Sequence, residues 1–356
     1  MHRLLSASLL TLTLMCSASF AEEASVPFES KRIWDGAGHN AFTDIIRWEG
    51  AFYCTFREGS GHVPGENGLD GTIRILRSEQ GEEWASTGLL TFKDIDLRDP
   101  KLSITPDNRL MVAMGGSNYD GNTLVDRAPY VSFLDSPTSK FTVPTPIIVD
   151  ESIGEDPGWL WRVTWHEGVG YGVSYRMPSK DRWEVLLVKT VDGIHYTLLK
   201  DLRRGGKPNE ATVRFKDNGE MFIVVRNEEQ RPHGSLGRSK APFEDCIWYD
   251  IPHKLGGPDM IFLPNGSLML GTREYGSPTH TVLGRLSESG AFEKYATFPS
   301  SGDTSYPGFV VYKDTLWMAY YASHEGKTSI YLATIKLKDL EARTAQSAHH
   351  TITIRK

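Results

Sequence analysis

Tyrosine, glutamate and arginine side chains at corresponding points of a repeating pattern are the groups of this 356-residue chain that could do chemistry. A tyrosine hydroxyl has a pKa of about 10 and is a poor nucleophile by itself. A carboxylate can take its proton, and nearby arginines can stabilise the phenolate. Tyr306 and Glu210 each begin one copy of the pattern, whereas Arg57, Arg226 and Arg273 each follow an apolar strand. We therefore predict a tyrosine nucleophile with a glutamate base.

The pattern itself is a short apolar strand, a turn and a second strand that ends in a polar or charged residue. Its six copies begin at Asp44, Asp99, Arg162, Glu210, Pro258 and Tyr306. A period of roughly 40–50 residues with about four strands per period is typical of a β-propeller. The sequence therefore predicts an all-β, six-bladed β-propeller in which the first strand of every blade begins beside one central funnel.

Aligning the six copies produces two sets of residues that should face the funnel. The first set is Asp44, Asp99, Arg162, Glu210, Asp259 and Tyr306. The second set is Arg57, Gly115, Arg176, Arg226, Arg273 and Tyr321. Several arginines converging on a concave site suit an anionic ligand, because a guanidinium group binds a carboxylate through two hydrogen bonds. The alternative is that these arginines pair with carboxylates of their own or neighbouring blades.

Four outer turns share a Ser or Thr, then an acidic residue or Gly, and then an aromatic residue. They lie at residues 77–84, 189–196, 238–248 and 285–295. Such residues favour a tight hairpin whose polar side chains bond to the loop backbone. The turns resemble degenerate Asp-box repeats of bacterial neuraminidases, and that resemblance implies a structural role.

Two longer segments resemble the sialidase superfamily of six-bladed propeller glycosidases. Residues 209–227 are similar to the segment that carries the family's catalytic glutamate and second triad arginine, which implies these roles for Glu210 and Arg226. Residues 302–321 are similar to the segment of the tyrosine nucleophile, which implies Tyr306. By position, Arg273 matches the third triad arginine and Arg57 matches a further substrate contact. The resemblance implies an exported glycoside hydrolase that acts on an acidic glycan.

The sequence departs from this family at two points. The family's first triad arginine belongs to an Arg-Ile-Pro motif, but residues 39–44 contain no arginine. The acid/base aspartate is also missing from the loop after the Arg57 position. We consider His62 or Glu66 as substitutes in that loop, and Asp44 or Asp99 as substitutes elsewhere. The missing arginine weakens the case for sialic acid more than the case for glycoside chemistry.

Two other functions remain open. A propeller polysaccharide lyase would use His39 with Tyr306 as base or acid next to a uronic acid, with Arg57 neutralising its carboxylate. A non-catalytic carbohydrate-binding propeller would have the same outer turns. In any of these functions Arg162 could bind an acidic group, and Trp159 or Trp161 could stack on a sugar ring.

The N-terminal residues indicate export. Residues 1–21 contain Arg3, an apolar stretch from Leu4 to Met15 and the small residues Ser19 and Ala21, as in a secretory signal peptide. The stretch is too short to span a membrane, and we expect no lipid on Cys16. We expect residues 22–356 to form one domain in the periplasm or outside the cell.

Composition limits the partners and cofactors. A net charge of −6 argues against nucleic acid as a ligand. The spacing of His, Cys and Asp matches no zinc motif, and no Gly-rich phosphate loop is present, so we predict no cofactor and no metal. A glycan or glycoside is the expected partner, and the sequence leaves the oligomeric state open.

The ends of the chain must close the propeller, because an open sheet edge invites association. We expect residues 26–34 or residues 351–354 to complete blade six, and residues 341–350 to form a loose surface connection. Residues 59–71 and 117–127 are longer insertions that should rise over the funnel.

Overall fold

The computed structural model describes residues 25–65, 68–229 and 233–354, with the backbone alone from residue 347 onward. The predicted signal peptide and the candidate Glu66 lie outside the described residues. The first strand, β1 (Glu29–Trp34), belongs to the last blade. Blade one consists of β2 (His39–Trp48), β3 (Ala51–Gly59), β4 (Thr72–Ser78) and β5 (Ala85–Leu90). Blade two consists of β6 (Asp96–Ile104), β7 (Leu110–Asp120), β8 (Thr123–Leu134) and β9 (Thr145–Pro146).

The remaining blades repeat this arrangement. Blade three consists of β10 (Ile148–Val149), β11 (Trp159–His166), β12 (Val169–Ser179), β13 (Arg182–Thr190) and β14 (His195–Asp201). Blade four consists of β15 (Pro208–Phe215), β16 (Met221–Asn227), β17 (Gly234–Ser239) and β18 (Ile247–Ile251). Blade five consists of β19 (Asp259–Phe262), β20 (Leu268–Glu274), β21 (His280–Leu286) and β22 (Phe292–Thr297). Blade six consists of β23 (Thr304–Tyr312), β24 (Thr315–Ala322), β25 (Ser329–Lys336) and β1.

These six sheets confirm the predicted six-bladed β-propeller. Within each blade the sequential strands pair antiparallel. The second strand of blade four, β16, is buried along its whole length, because the blade is covered by a neighbour on both faces. Trp48 and Tyr53 of blade one, for example, pack in one apolar cluster with Leu97 and Leu110 of blade two.

The N-terminal segment closes the propeller, which is one of the two closures that the sequence predicted. Strand β1 pairs antiparallel with β25 and so covers the edge of blade six. The prediction of a strand at residues 351–354 is wrong, and so is that of a loose connection before it, because helix α1 spans Leu337–Ile354. Strand β1 already occupies the edge of β25 that a C-terminal strand would have used. Leu337 and Leu340 instead pack against the core of blades five and six.

The outer turns have the structural role that their residue types predict. Ser78 Oγ accepts a hydrogen bond from Gly81 N at 2.9 Å, and Thr190 Oγ1 accepts one from Gly193 N at 2.9 Å. Both glycines have a φ of 80°, a conformation that side-chain-bearing residues rarely adopt. The turns therefore hold the rims of the blades.

A β-bulge recurs in the innermost strand of five blades and decides which residues face the funnel. The pairing register shifts after Ala41, Arg98, Leu160, Pro208 and Ser305. The first bulged residues of blades one, two and six have φ values of 66° (Phe42), 53° (Asp99) and 52° (Tyr306). A bulge of this kind re-aims a side chain. The counterpart of Asp99 in blade one is therefore Phe42, and the Asp44 of our alignment lies two residues further along.

Among the described residues, no helix combines the length and the apolar character that crossing a membrane requires.

Candidate active site

A pocket of about 210 Å³ lies where the innermost strands begin. Four of the predicted site residues line it, namely His62, Asp99, Glu210 and Tyr306. The insertion at residues 117–127 contributes Ser117, Tyr119, Leu124 and Arg127 to the wall, as the sequence predicted. A larger hollow of about 720 Å³ lies beside β1 and α1, and it contains none of the predicted residues. The smaller pocket is therefore the candidate active site.

Tyr306 and Glu210 are in direct contact at the base of this pocket. Tyr306 Oη donates a hydrogen bond to Glu210 Oε1 at 2.6 Å, and Gly257 N donates one to Glu210 Oε2 at 2.8 Å. Gly257 packs against the tyrosine ring so closely that a Cβ atom there would lie 2.8 Å from it. The peptide oxygen of Tyr306 accepts a hydrogen bond from Thr43 Oγ1 at 2.5 Å. These contacts hold the left-handed backbone of Tyr306 in place.

The surroundings keep the tyrosine neutral and the glutamate ionised at rest. Burial and the neighbouring Glu210 charge raise the pKa of Tyr306 well above its usual value, against the opposing effect of Arg226 and Arg273. Burial alone would also raise the pKa of Glu210. The Arg226 charge and the tyrosine hydrogen bond outweigh that burial, so the pKa of Glu210 is lowered. The Tyr306 hydroxyl can therefore transfer its proton to the Glu210 carboxylate when another group stabilises the resulting phenolate.

Arg226 and Arg273 flank this pair but bind protein groups. Arg226 Nη1 lies 2.7 Å from Glu210 Oε1, and Arg226 Nη2 bonds to Glu228. Arg273 Nε donates to the Thr304 carbonyl at 2.9 Å, and its guanidinium carbon lies 5.8 Å from the centre of the Tyr306 ring. Neither arginine lines the pocket. Both arginines therefore influence the charges of Tyr306 and Glu210 and do not contact the space in which a ligand would lie.

Arg57 does not reach the pocket. Its side chain is fully buried, and its Nε and Nη2 donate to Asp96 Oδ1 at 2.9 and 2.6 Å. Asp96 belongs to the neighbouring blade. Arg57 therefore forms an ion pair between blades, which was the alternative to ligand binding in the sequence analysis. The expected substrate contact is replaced by an internal contact between blades one and two.

Asp44 and Arg162 are also internal. Arg162 Nη1 donates to Asp44 Oδ2 at 2.7 Å, and its Nη2 lies 3.2 Å from Asp259 Oδ2. Asp259 further accepts a hydrogen bond from Arg214 at 2.7 Å. All four groups belong to innermost strands, so the network joins blades one, three, four and five around the axis. Asp44 and Arg162 therefore stabilise the ring, and neither faces the pocket.

Replacing Arg162 by methionine should lower the free energy of unfolding by about 3–5 kcal/mol, because two buried carboxylates would lose their shared partner. Denaturant unfolding measures the change. The matched control is Arg182→Met, which removes a largely exposed arginine and leaves its partner Glu184 paired with Arg176, so it should cost at most about 1 kcal/mol. Equal effects of the two substitutions would contradict the assignment.

Of the two tryptophans that could stack on a sugar ring, only one reaches the pocket. Trp161 is buried, with its ring centroid 5.5 Å from that of Tyr306, so it supports the Tyr306 ring and has no free face for a sugar. Trp159 lines the pocket. Phe42 meets the Tyr306 ring edge-on at 5.1 Å and fills the place at the start of blade one where the resemblance expected an arginine.

Asp99 is the carboxylic acid that faces Glu210 and Tyr306 across the pocket. Its side chain is 11% exposed, and its Oδ2 lies 3.8 Å from Arg98 Nε. Burial raises the pKa of Asp99 in spite of the nearby Arg98 and Lys101 charges. A carboxyl group that keeps its proton to higher pH is suited to act as an acid.

Arg98 and Arg127 line the same pocket and were missed in the sequence. Arg98 directly precedes Asp99, and neighbouring residues of a regular strand point to opposite faces. The bulge in β6 breaks that alternation and brings both side chains to the funnel. Arg127 was part of the predicted insertion, but the repeat gave no sign that its side chain would return to the pocket.

His39, His62 and Asp303 form a cluster at the edge of the pocket. His39 Nε2 lies 3.0 Å from Asp303 Oδ2, and Asp303 Oδ1 accepts a hydrogen bond from Tyr321 Oη at 3.0 Å. His39 is buried and does not line the pocket, in contrast to the substrate contact expected from the sequence. Burial and the charge of Arg98 lower the pKa of His62 to about 4, so its imidazole is neutral at pH 7.

The six blades and this funnel pocket make the chain a six-bladed β-propeller of the sialidase-like fold. A protein of unknown function from Dyadobacter fermentans has a TM-score of 0.74 at 15% identity, over 86% of this chain and 98% of that one. Trypanosoma rangeli sialidase in complex with the inhibitor DANA has a TM-score of 0.69 at 10% identity, over 90% of this chain and 61% of that one. The endosialidase of phage phi92 has a TM-score of 0.65 at 10% identity, over 88% of this chain and 69% of that one.

No family model and no curated protein matches the chain. At identities of 10–15% the likeness to solved structures shows the fold alone.

Proposed function

We propose that the protein is an exported, sialidase-like glycoside hydrolase that uses Tyr306 as its nucleophile. The observation that carries the proposal is the 2.6 Å hydrogen bond from Tyr306 Oη to Glu210 Oε1 at the base of the pocket. Sialidases are the exception among glycosidases in using a tyrosine in place of a second carboxylate. Export rests on the sequence of residues 1–21 alone.

The first step of the proposed reaction forms a glycosyl-tyrosine. Tyr306 Oη attacks the anomeric carbon as its proton passes to Glu210, and the bond to the leaving oxygen breaks. Asp99 donates its proton to that oxygen. Arg226 and Arg273 stabilise the negative charge that the phenolate carries during the attack.

The second step releases the sugar. Asp99, now ionised, takes a proton from a water molecule that attacks the anomeric carbon. The bond to Tyr306 breaks, and the phenolate regains its proton from Glu210. Each group returns to its starting state, as the microscopic reversibility of a retaining mechanism requires.

The charges of the pocket favour a glycan with an acidic group. The Arg127 guanidinium makes no ion pair with any carboxylate of the described residues, and it lies 5.9 Å from the centre of the Tyr175 ring. Arg98 donates to Tyr119 Oη at 2.8 Å and is partly neutralised by Asp96 and Asp99. Arg127 is thus the cation that is free to bind a carboxylate or sulfate of the substrate. Arg226 and Arg273 have protein partners already.

A uronate lyase is the second candidate, and the neutral imidazole of His62 favours it. A lyase needs a base for the proton next to the carboxylate and a cation to neutralise that carboxylate. His62 lines the pocket with a lowered pKa, whereas the His39 of our sequence-based prediction is bound to Asp303. His62 with Arg98 and Tyr306 would supply the required groups.

Product analysis on sialosides, uronides and neutral glycosides separates these functions. The hydrolase should release a free reducing sugar with no new ultraviolet absorbance. An unsaturated product with new ultraviolet absorbance would overturn the hydrolase in favour of the lyase. Binding to a glycan panel without turnover of any substrate would instead show a carbohydrate-binding propeller.

A further inference from the structure

We propose that His39, His62 and Asp303 bind one divalent transition-metal ion, with Zn²⁺ as the best match. One nitrogen of each imidazole and one carboxylate oxygen lie within 4.8 Å of one another. The site is independent of the proposed hydrolase chemistry, because no step of that reaction uses these three side chains.

The three ligands come from the two blades that close the ring. His39 begins β2, His62 follows β3, and Asp303 directly precedes β23. A bound ion would therefore connect blade one to blade six at the joint between the ends of the chain. His62 also lines the pocket, so the ion would fix one wall of the candidate active site.

The distances suit a small ion. Zinc lies about 2.0–2.2 Å from nitrogen and oxygen ligands, so two ligands of one ion are roughly 3–3.5 Å apart. His39 Nε2 and Asp303 Oδ2 have that spacing already, at 3.0 Å. His62 has to approach by roughly one ångström to complete the set. Its ring centroid lies 5.8 Å from that of His39, with the two rings perpendicular.

The donor types select the metal. Two imidazoles and one carboxylate suit zinc and neighbouring transition metals, whereas Mg²⁺ and Ca²⁺ prefer oxygen ligands throughout. Tyr321 Oη donates to Asp303 Oδ1 at 3.0 Å, which leaves Oδ2 for the ion and orients the carboxylate. Three protein ligands leave one position of a tetrahedral site for water or another small ligand.

The surroundings tolerate the added positive charge. Arg98 is the nearest cation and donates to the His62 carbonyl at 3.2 Å, but Asp96 and Asp99 offset its charge.

Zinc binding to tag-free protein tests the site. The protein is stripped with a chelator, dialysed and titrated with ZnCl₂, and its zinc content and melting temperature are measured. We expect one zinc ion per chain and a higher melting temperature with zinc. His62→Ala and Asp303→Asn should each weaken zinc binding at least a hundredfold. His166→Ala, whose ring stacks on Phe215 on the other side of the propeller, is the matched control and should bind zinc as the parent does.

Wild-type protein that binds no zinc, or that binds it no more tightly than the His62 and Asp303 variants, would show that His39 and Asp303 form only a hydrogen-bonded pair. Should a variant fail to fold, Co²⁺ absorption of the wild-type protein decides the question. Visible bands of low-coordinate cobalt support the site, and the spectrum of hydrated cobalt overturns it. Neither readout depends on activity, so the proposed function can fail while the metal site stands.

Discussion

Tyr306→Phe will lower kcat/KM by roughly a thousandfold or more on any glycoside that the protein hydrolyses, because the attacking oxygen is removed while the ring remains. The fold should be little affected. Glu210 keeps its bonds to Arg226 and Gly257, so the lost hydrogen bond should cost only about 1 kcal/mol of unfolding free energy. Steady-state kinetics and thermal unfolding of the same preparation measure both effects.

The matched control for this substitution is Tyr295→Phe. It removes another largely buried hydroxyl, which bonds to Thr344 at 3.0 Å and lies far from the pocket. Its kcat/KM should be unchanged. A Tyr306→Phe variant with near-normal activity would eliminate the tyrosine nucleophile, and a loss of activity accompanied by unfolding would assign the hydroxyl to stability.

Asp99→Asn will have the second-largest effect, and the size of that effect will depend on the leaving group. A general acid contributes roughly a hundredfold to ten-thousandfold when the departing oxygen needs a proton. An activated aryl glycoside, whose phenolate leaves without help, should lose much less. Kinetics on one alkyl and one nitrophenyl glycoside of the same sugar provide the comparison. Asp107→Asn, at an exposed aspartate paired with Arg109, should leave both rates unchanged.

The pH dependence gives a second readout for Asp99. The acid works only when it is protonated, so kcat/KM of the wild type should fall as the pH rises through the pKa of this group. Burial raises that pKa, which moves the falling limb to higher pH than an exposed aspartate would show. The asparagine variant should lack this limb. Equal losses on both leaving groups, with the limb retained, would remove Asp99 from the role of acid.

Much of the fold and the centre of the site could be predicted from the sequence. The regular interval between the copies at Glu210, Pro258 and Tyr306 fixed blades four to six, because each copy is one supersecondary unit that must pack on the next. The same register placed Tyr306 and Glu210 beside one funnel, and the structure brings them to 2.6 Å. The helix at Leu337–Ile354 was missed because strand-like alternation at residues 351–354 competes with helix-forming residues before it.

The remaining parts of the site depend on bulges that the sequence does not reveal. Our alignment of blade one placed Asp44 where the structure has Phe42, because a bulge in β2 changes the register by local backbone geometry without a marker residue. The bulge in β6 likewise turns Arg98 and Asp99 to the same pocket. A repeat fixes where a strand runs, but the direction of a side chain beside a bulge follows from the surrounding contacts.

The sequence by itself therefore determined the six blades and the meeting of a tyrosine with a glutamate, since both follow from the period of the repeat. Only the tertiary structure decided which charge neutralises which. Arg57 pairs with Asp96 of the next blade, and Arg162 joins Asp44 to Asp259 across the ring. A buried charge pairs with the opposite charge that packing brings nearest, and such partners are far apart in the chain. Among the described residues that line the pocket, Arg127 has no carboxylate partner, and we propose that it binds the ligand.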